Sequence, residues 1–260
     1  MDDDVVSAPS SSLVAAQDRH FEERASTWTR RYRTHPSFQA RLAVVGEAVD
    51  RAVTEAPGAR VLDYGGGTGI FSELAAQRAA SVVCVDRSLP MLRYGKTHRS
   101  EIVEILASAG FSRPPGAVLR VAGDERVLGR AAGTFDVVMA IAVLEYVDDC
   151  ARVVGRLATL LRPGGVLLAM VPEPRSPMRW AQRVVGPLAA SGRVRSARVT
   201  DQSFAAIRPH GDRVLWRQAA SDAELHVQGT VAIPLGDSGV RALFHPSILV
   251  RLQRAGLDLG

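Results

Sequence analysis

A chain of 260 residues with 47% hydrophobic residues can bury a full core, and its length fits one α/β domain with an appendage. No apolar run approaches the ~18–20 residues needed to span a bilayer, and the acidic start Met1-Asp2-Asp3-Asp4 lacks the apolar segment of a secretory signal. The net charge of +5 does not read as a nucleic-acid footprint, because Lys96 is the only lysine among 32 basic residues and the arginines are spread along the chain, as GC-rich coding produces.

In chain order, residues 1–12 are acidic and rich in serine, and are expected to form a disordered tail ahead of one domain over 13–260. Leu13–Tyr32 and Ser37–Val53 carry helical periodicity, with Pro36 suited to the first turn of the second helix. Strands and helices then alternate. Strands are expected at Arg60–Tyr64, Ser81–Asp86, Ala117–Val121, Phe135–Ile141 and Gly165–Val171. Helices are expected at Thr68–Arg78, over 88–109 with Gly110 as the stop, and at Asp148–Leu161 before Pro163-Gly164-Gly165. The strands are short continuous apolar runs, as when both faces of a sheet are covered, so the fold class is α/β with a doubly wound, mostly parallel sheet. Residues 172–221 are rich in proline and arginine; Glu224–Ile233 reads as a strand and Pro246–Ala255 as a helix. Cys84 and Cys150 form neither a disulfide framework nor a zinc pattern, so a reducing cytoplasm is the expected compartment.

The most informative stretch is Val61-Leu-Asp-Tyr-Gly-Gly-Gly-Thr-Gly69. An apolar strand runs into an acid and then into a loop where absent Cβ atoms permit positive φ and close approach of a ligand. The spacing Asp63-x-Gly65-x-Gly67-x-Gly69 is not the dinucleotide fingerprint, which needs glycine or alanine at position 70, where Ile70 stands. A nucleoside ligand other than NAD is implied. Asp86 ends the next strand, where an acid can accept from a ribose diol, and Asp124 follows the third strand, where it could accept from an exocyclic amine.

At these positions the chain resembles the class I S-adenosylmethionine-dependent methyltransferases over about residues 59–171. Asp63-Tyr-Gly-Gly-Gly-Thr-Gly69 resembles their cofactor loop. Val83-Cys-Val-Asp86 followed by Ser88-Leu-Pro-Met91-Leu92 resembles the ribose acid and the helix after it. Gly123-Asp124 resembles the adenine contact, Phe135–Ala140 and Val143–Val147 the fourth-strand motif, and Leu161-Arg-Pro-Gly-Gly165 the turn before strand five. Phe21, Ala25, Trp28 and Tyr32 are similar to the first helix of the small-molecule branch, which includes quinone-biosynthesis methyltransferases.

The resemblance implies S-adenosyl-L-methionine as cofactor, no metal, and a cofactor set of Asp63, Tyr64, Gly65, Gly66, Gly67, Gly69, Asp86, Arg87, Met91, Gly123, Asp124 and Ala140, with Tyr32 and Glu145 at its margin. It implies a cofactor core over 56–171 and a substrate region over 172–260 together with helices in 13–55. Within it, Asp63 would orient the loop and meet the methionine ammonium.

No single general base stands out. Tyr146 falls nearest the expected methyl position, and His210, His226 and His245 lie in the substrate region. The Asn/Asp-Pro-Pro-Tyr motif of many adenine and glutamine N-methyltransferases is absent after strand four, where Ala142-Val-Leu-Glu-Tyr146 stands. A small-molecule acceptor is therefore expected, with no specific nucleic acid. Ser176–Ala190 reads equally as a lid or as a surface helix. The family ends its sheet with a helix and two strands, but here a helix-like 248–255 is followed only by Gly256-Leu-Asp-Leu-Gly260. Either Glu224–Ile233 is a rearranged strand, or the usual last strand is missing, which would expose a sheet edge and favour a homodimer. An RNA or protein methyltransferase, or an inactive cofactor-binding regulator, remain the competing readings.

Overall fold

The computed structural model describes residues 25–129, 131–147, 149–172, 218, 220–234 and 247–256. The expected tail at 1–12, the start of the first expected helix, the segment 176–190, His210 and His245 lie outside these residues. The strands are β1 Arg60–Tyr64, β2 Ser81–Asp86, β3 Val118–Ala122, β4 Phe135–Ile141, β5 Leu161–Pro172, β6 Leu225–Ile233 and β7 Ser247–Arg254. They form one seven-stranded sheet in the order β3-β2-β1-β4-β5-β7-β6. The first five strands pair in parallel; β7 runs antiparallel to both of its neighbours.

Both faces of the sheet are buried along its central strands β1, β4, β5 and β7, which is why these read as continuous apolar runs, whereas β3 and β6 at the two edges are largely open to solvent. Along β1, Val61 joins one apolar cluster and Leu62 the other, as the two-residue period requires. The Val61 face is covered by α1 (Ala25–Thr34), α2 (Pro36–Thr54), α3 (Ile70–Ala75) and α5 (Arg99–Ser108). In α2 the buried residues Phe38, Leu42, Val45 and Val49 recur every three or four positions, so one stripe meets the sheet. The Leu62 face is covered by α6 (Cys150–Leu160), through Val153, Leu157 and Leu160. No helix among the described residues is long and apolar enough to cross a membrane.

The C-terminal reading changes most. The segment expected as a helix over 246–255 contains strand β7, inserted between β5 and β6. Ile248, Leu249, Val250 and Leu252 are buried, with Leu249 facing one cluster and the other three facing the opposite one. A short apolar run buried on both sides has no periodicity to separate strand from helix. The sheet is therefore not short of a strand, and the homodimer argument drawn from a missing strand loses its premise.

Smaller differences have local causes. The helix expected over 88–109 is two helices, α4 (Leu89–Thr97) and α5, because His98 leaves helical geometry at φ −110°, ψ 30° and stacks on Tyr94 at 4.0 Å. The helix expected over 68–78 narrows to α3. Strand β5 starts before Gly165, and its register with β4 jumps between Phe135–Leu161 and Val137–Val166 to accommodate the Pro163-Gly164 turn. At the N-terminus of α6, the Asp149 carboxylate caps the helix by accepting from the Arg152 N–H at 2.9 Å.

Candidate functional site

The sheet order reverses beside β1: the chain steps outward to β2 and β3, then returns to place β4 on the opposite side. In doubly wound sheets ligands bind in the crevice outside the carboxyl ends of the strands at such a switch point. A cavity opens there, lined by the loops after β1, β2, β3 and β4 and by Trp28 of α1.

Its floor is the glycine loop. Gly65, Gly66 and Gly67 line the cavity, and the Gly65 and Gly66 N–H groups donate to the Val85 carbonyl at 2.7 and 3.2 Å. Two glycines have definite causes. Gly65 sits at φ +69°, and a Cβ there would lie 2.2 Å from the Val143 side chain. A Cβ on Gly66 would lie 2.6 Å from both Asp63 Oδ2 and Cys84 Sγ.

Those two side chains support the loop from beneath. Asp63 is 1% exposed and does not line the cavity; its Oδ2 accepts from Ser72 Oγ at 2.6 Å. Burial pushes its carboxyl up to about 6, the Ser72 hydrogen bond opposes this, and the nearby Asp86 charge adds to it. Burial likewise raises the Cys84 thiol well above its ordinary value. Asp63 lies beneath the loop rather than on the cavity wall, and its hydrogen bond with Ser72 ties the loop to α3.

Asp86 does both jobs. It lines the cavity, and its two oxygens accept from the Gly67 and Ser88 N–H groups, each at 2.8 Å. Arg87, Ser88 and Met91 extend the same wall, and Ser88 also caps α4 by accepting from the Met91 N–H at 3.3 Å.

The opposite wall comes from β3 and β4. Gly123 lines the cavity and is tied to β2 by its N–H, which donates to the Asp86 carbonyl at 2.9 Å. Asp124 does not line it; its Oδ1 accepts from the Arg126 N–H at 3.0 Å and caps the one-turn 3-10 helix Glu125–Leu128. Glu125, which the sequence did not single out, is the buried acid of the pair at 2% exposure. Its Oε2 accepts from the Tyr64 hydroxyl at 2.8 Å and its Oε1 from Arg152 Nη1 at 2.7 Å. After β4, Ala142, Val143, Tyr146 and Val147 line the cavity, with Ala142 at φ +56°. Alanine seldom adopts that conformation, so nothing in the sequence announced it.

The remaining expected residues lie outside the cavity. Gly69, at φ +84°, is the N-cap of α3. Ala140 is fully buried within β4, toward α6, one residue short of the strand end. Glu145 is buried in the short 3-10 turn Leu144–Tyr146. Tyr32 is buried against Phe38 and Phe71, at ring distances of 5.0 and 6.0 Å, and burial raises its phenol; the Arg41 guanidinium beside it acts in the opposite direction. His226 is exposed on β6 and does not line the cavity. Of the sequence-level base candidates, Tyr146 alone is at the cavity among the described residues.

Residues 24–218 match the model of the family described as "Methyltransferase domain". The chain belongs to this family. Its curated relatives include a ubiquinone biosynthesis O-methyltransferase of Xanthomonas campestris pv. campestris (strain B100), 32% identical over 130 residues, 50% of this chain and 49% of that protein. The corresponding protein of Xanthomonas oryzae pv. oryzae (strain PXO99A) is 31% identical over 152 residues, 58% of this chain and 56% of that one. The chain thus spans about half the length of these relatives. Among solved structures, the magnesium protoporphyrin IX methyltransferase of Synechocystis PCC 6803 with bound SAH matches 94% of this methyltransferase-family chain and 100% of its own, with a TM-score of 0.62 and 19% identity. The [4+2]-cyclase SpnF matches 94% of this chain and 96% of its own at TM-score 0.62 and 14% identity. Both show the fold; one is named for an activity other than methyl transfer, so chemistry must be argued from the site.

Proposed function

We propose that the cavity binds S-adenosylmethionine and that the protein transfers its methyl group to an oxygen, nitrogen or activated carbon of a small-molecule metabolite. The observation that carries this reading is Asp86: a carboxylate at the end of β2 that lines the cavity and is pinned by the N–H groups of Gly67 and Ser88. At a strand end of this kind a carboxylate can accept from a ribose diol. The glycine loop lets backbone approach the amino-acid tail and ribose, and Gly123 faces the base. Met91 and Arg87 adjoin the same end, while Asp63 beneath the loop, Gly69 at the N-cap of α3 and Asp124 at the cap of the turn hold these elements. This ligand has no phosphates, and Arg87 is the one cationic residue lining the cavity among the described residues.

When bound, the sulfonium supplies a methyl group already attached to a good leaving group. The chain's task is then to orient the acceptor in line and to exclude water, effects worth ~7–11 kcal/mol. Tyr146 lines the cavity and can hydrogen-bond the acceptor; a base adds roughly 10²–10⁴-fold where one is used. The activities for which the Xanthomonas and Synechocystis proteins are named support a metabolite over RNA or protein as the acceptor. The free, buried thiols Cys84 and Cys150 support a reducing, cytoplasmic setting.

Calorimetry with S-adenosylhomocysteine tests the site. Asp86→Ala is expected to weaken binding by roughly 100-fold, the loss of about 3 kcal/mol of charge-assisted hydrogen bonding. Retained affinity in that variant would contradict the diol assignment. Labelled cofactor supplied with metabolite, RNA and protein fractions tests the acceptor: label in the metabolite fraction supports the reading, and label only in RNA overturns it. Binding without transfer to any fraction would leave a cofactor-binding regulator.

A further inference from the structure

Three loops that build the cavity meet at one buried carboxylate. Tyr64 ends β1 where the glycine loop begins, Glu125 opens the turn after β3, and Arg152 lies in the first turn of α6, directly after the β4 loop that carries Tyr146. Glu125 accepts from Tyr64 on one oxygen and from Arg152 on the other, at 2.8 and 2.7 Å. Burial raises the Glu125 carboxyl, but the hydrogen bonds from its own backbone, Tyr64 and Arg152 outweigh it, and the group stays below its ordinary value and ionised. Burial and the adjacent Glu125 raise the Tyr64 phenol, so it remains a donor.

The turn that Glu125 opens is short and is held at its far end, where Leu128 packs on the apolar cluster beside α6 and its carbonyl accepts from the Ala131 N–H at 2.8 Å. It is four residues long, its N-cap Asp124 is spent on the Arg126 N–H, and the Val127 side chain is half-exposed. Gly123 must stay glycine, because a Cβ there would lie 2.3 Å from Val127. Gly123, which lines the cavity, therefore leads into a short turn whose near end is positioned by where Glu125 is held.

We propose that Tyr64, Glu125 and Arg152 are positioning residues that hold the near end of the Gly123–Leu128 turn and so fix Gly123 at the purine end of the cavity. This rests on the reading of the cavity as an S-adenosylmethionine site. A purine edge is read by a few backbone groups in a fixed turn, so slack in the turn should cost discrimination between bases more than it costs the ribose and amino-acid contacts.

The test compares S-adenosylhomocysteine with S-inosylhomocysteine, in which the purine 6-amino group is replaced by oxygen, by calorimetry on the wild type, Tyr64→Phe, Glu125→Gln and Arg152→Lys. The wild type should prefer the adenine ligand by roughly tenfold or more. Tyr64→Phe removes only the hydroxyl and should lower affinity for the adenine ligand by roughly tenfold while changing the inosine ligand by less than about threefold, so the preference collapses. Glu125→Gln keeps an acceptor for Tyr64, and Arg152→Lys keeps the charge; both should give smaller losses with the same pattern, and they carry the test if Tyr64→Phe does not fold, as thermal melts of the free proteins will show. Equal losses for both ligands, or no loss for either, would overturn the proposal while leaving the cofactor site standing. A wild type that binds neither ligand overturns both.

Discussion

Asp63 and Asp86 show how differently two acids at strand ends can be used. Both were legible in the sequence as acids following apolar runs, but only contact with solvent and backbone separates their roles. Asp63 is sealed under Gly66 and its carboxyl is pushed up to about 6, against an ordinary value of 3.8. In the unfolded chain it ionises first, so between pH of about 4 and 6 the folded state holds more protons and stability falls as pH rises. A carboxyl raised that far loses about 3 kcal/mol of stability across the window. Asp63→Asn should flatten this part of the profile, measured as urea midpoints at a series of pH values; an unchanged slope would remove Asp63 as its source. The pair Asp124-Glu125 shows the reverse difficulty. Two adjacent acids in a turn look alike in sequence, but Asp124 caps the turn while Glu125 is buried. Which side chain turns inward depends on where Tyr64 and Arg152 arrive from β1 and α6.

At the scale of elements, the glycine loop is held between helices that do not touch the cavity through the same residues. Thr29 of α1, fully buried, donates its hydroxyl to that of Thr68 at 3.0 Å. On another side α4 is packed so closely that a Cβ on Gly95 would lie 1.9 Å from the Thr68 carbonyl oxygen. Neither Thr68 nor Gly95 lines the cavity. Gly95→Ala raises helix propensity by about 1 kcal/mol in isolation, yet overpacking here is expected to cost about 1–3 kcal/mol, because backbone must move. The displaced loop should also bind S-adenosylhomocysteine at least several-fold more weakly, a result calorimetry and a thermal melt would give together; a variant more stable than wild type with full affinity would refute the close packing. Behind the loop, Glu73 of α3 is fully buried and joins Arg99 Nε at 2.9 Å and Arg120 Nη2 at 2.7 Å, which ties α3 to α5 and β3. The sequence showed these helices by periodicity. It did not show the close approach of Gly95, since a glycine inside a helical pattern looks the same whether it faces solvent or backbone.

Across the whole molecule, the sheet depends on β7. Val250 is fully buried and pairs with Ala169 on β5 and Thr230 on β6, so it sits in two ladders at once. Val250→Pro removes a ladder N–H in the middle of the sheet and should abolish a cooperative unfolding transition. Val231→Thr, on the outer strand β6 where Val231 is 53% exposed, should stay within about 0.5 kcal/mol of wild type. Denaturant melts followed by circular dichroism would compare the two; a cooperative transition in Val250→Pro would mean that β7 is not integral to the sheet.

Local signals in the chain were enough for the alternating strands and helices from β1 to β5, for the glycine loop and for the acids that end β1 and β2. Apolar runs, turn residues and loop spacing act over a few positions, so they can be read without knowing what packs against them. Other features depend on distant partners and came only with the assembled fold. Residues 247–254 became a strand because a slot with apolar cover on both faces and open ladders on both sides accepts any short apolar run. The acids likewise took their places from the assembly, Asp63 beneath the glycine loop, Asp86 at the cavity and Glu125 at the meeting of three loops, because burial and hydrogen-bond partners arise only when separate elements pack together.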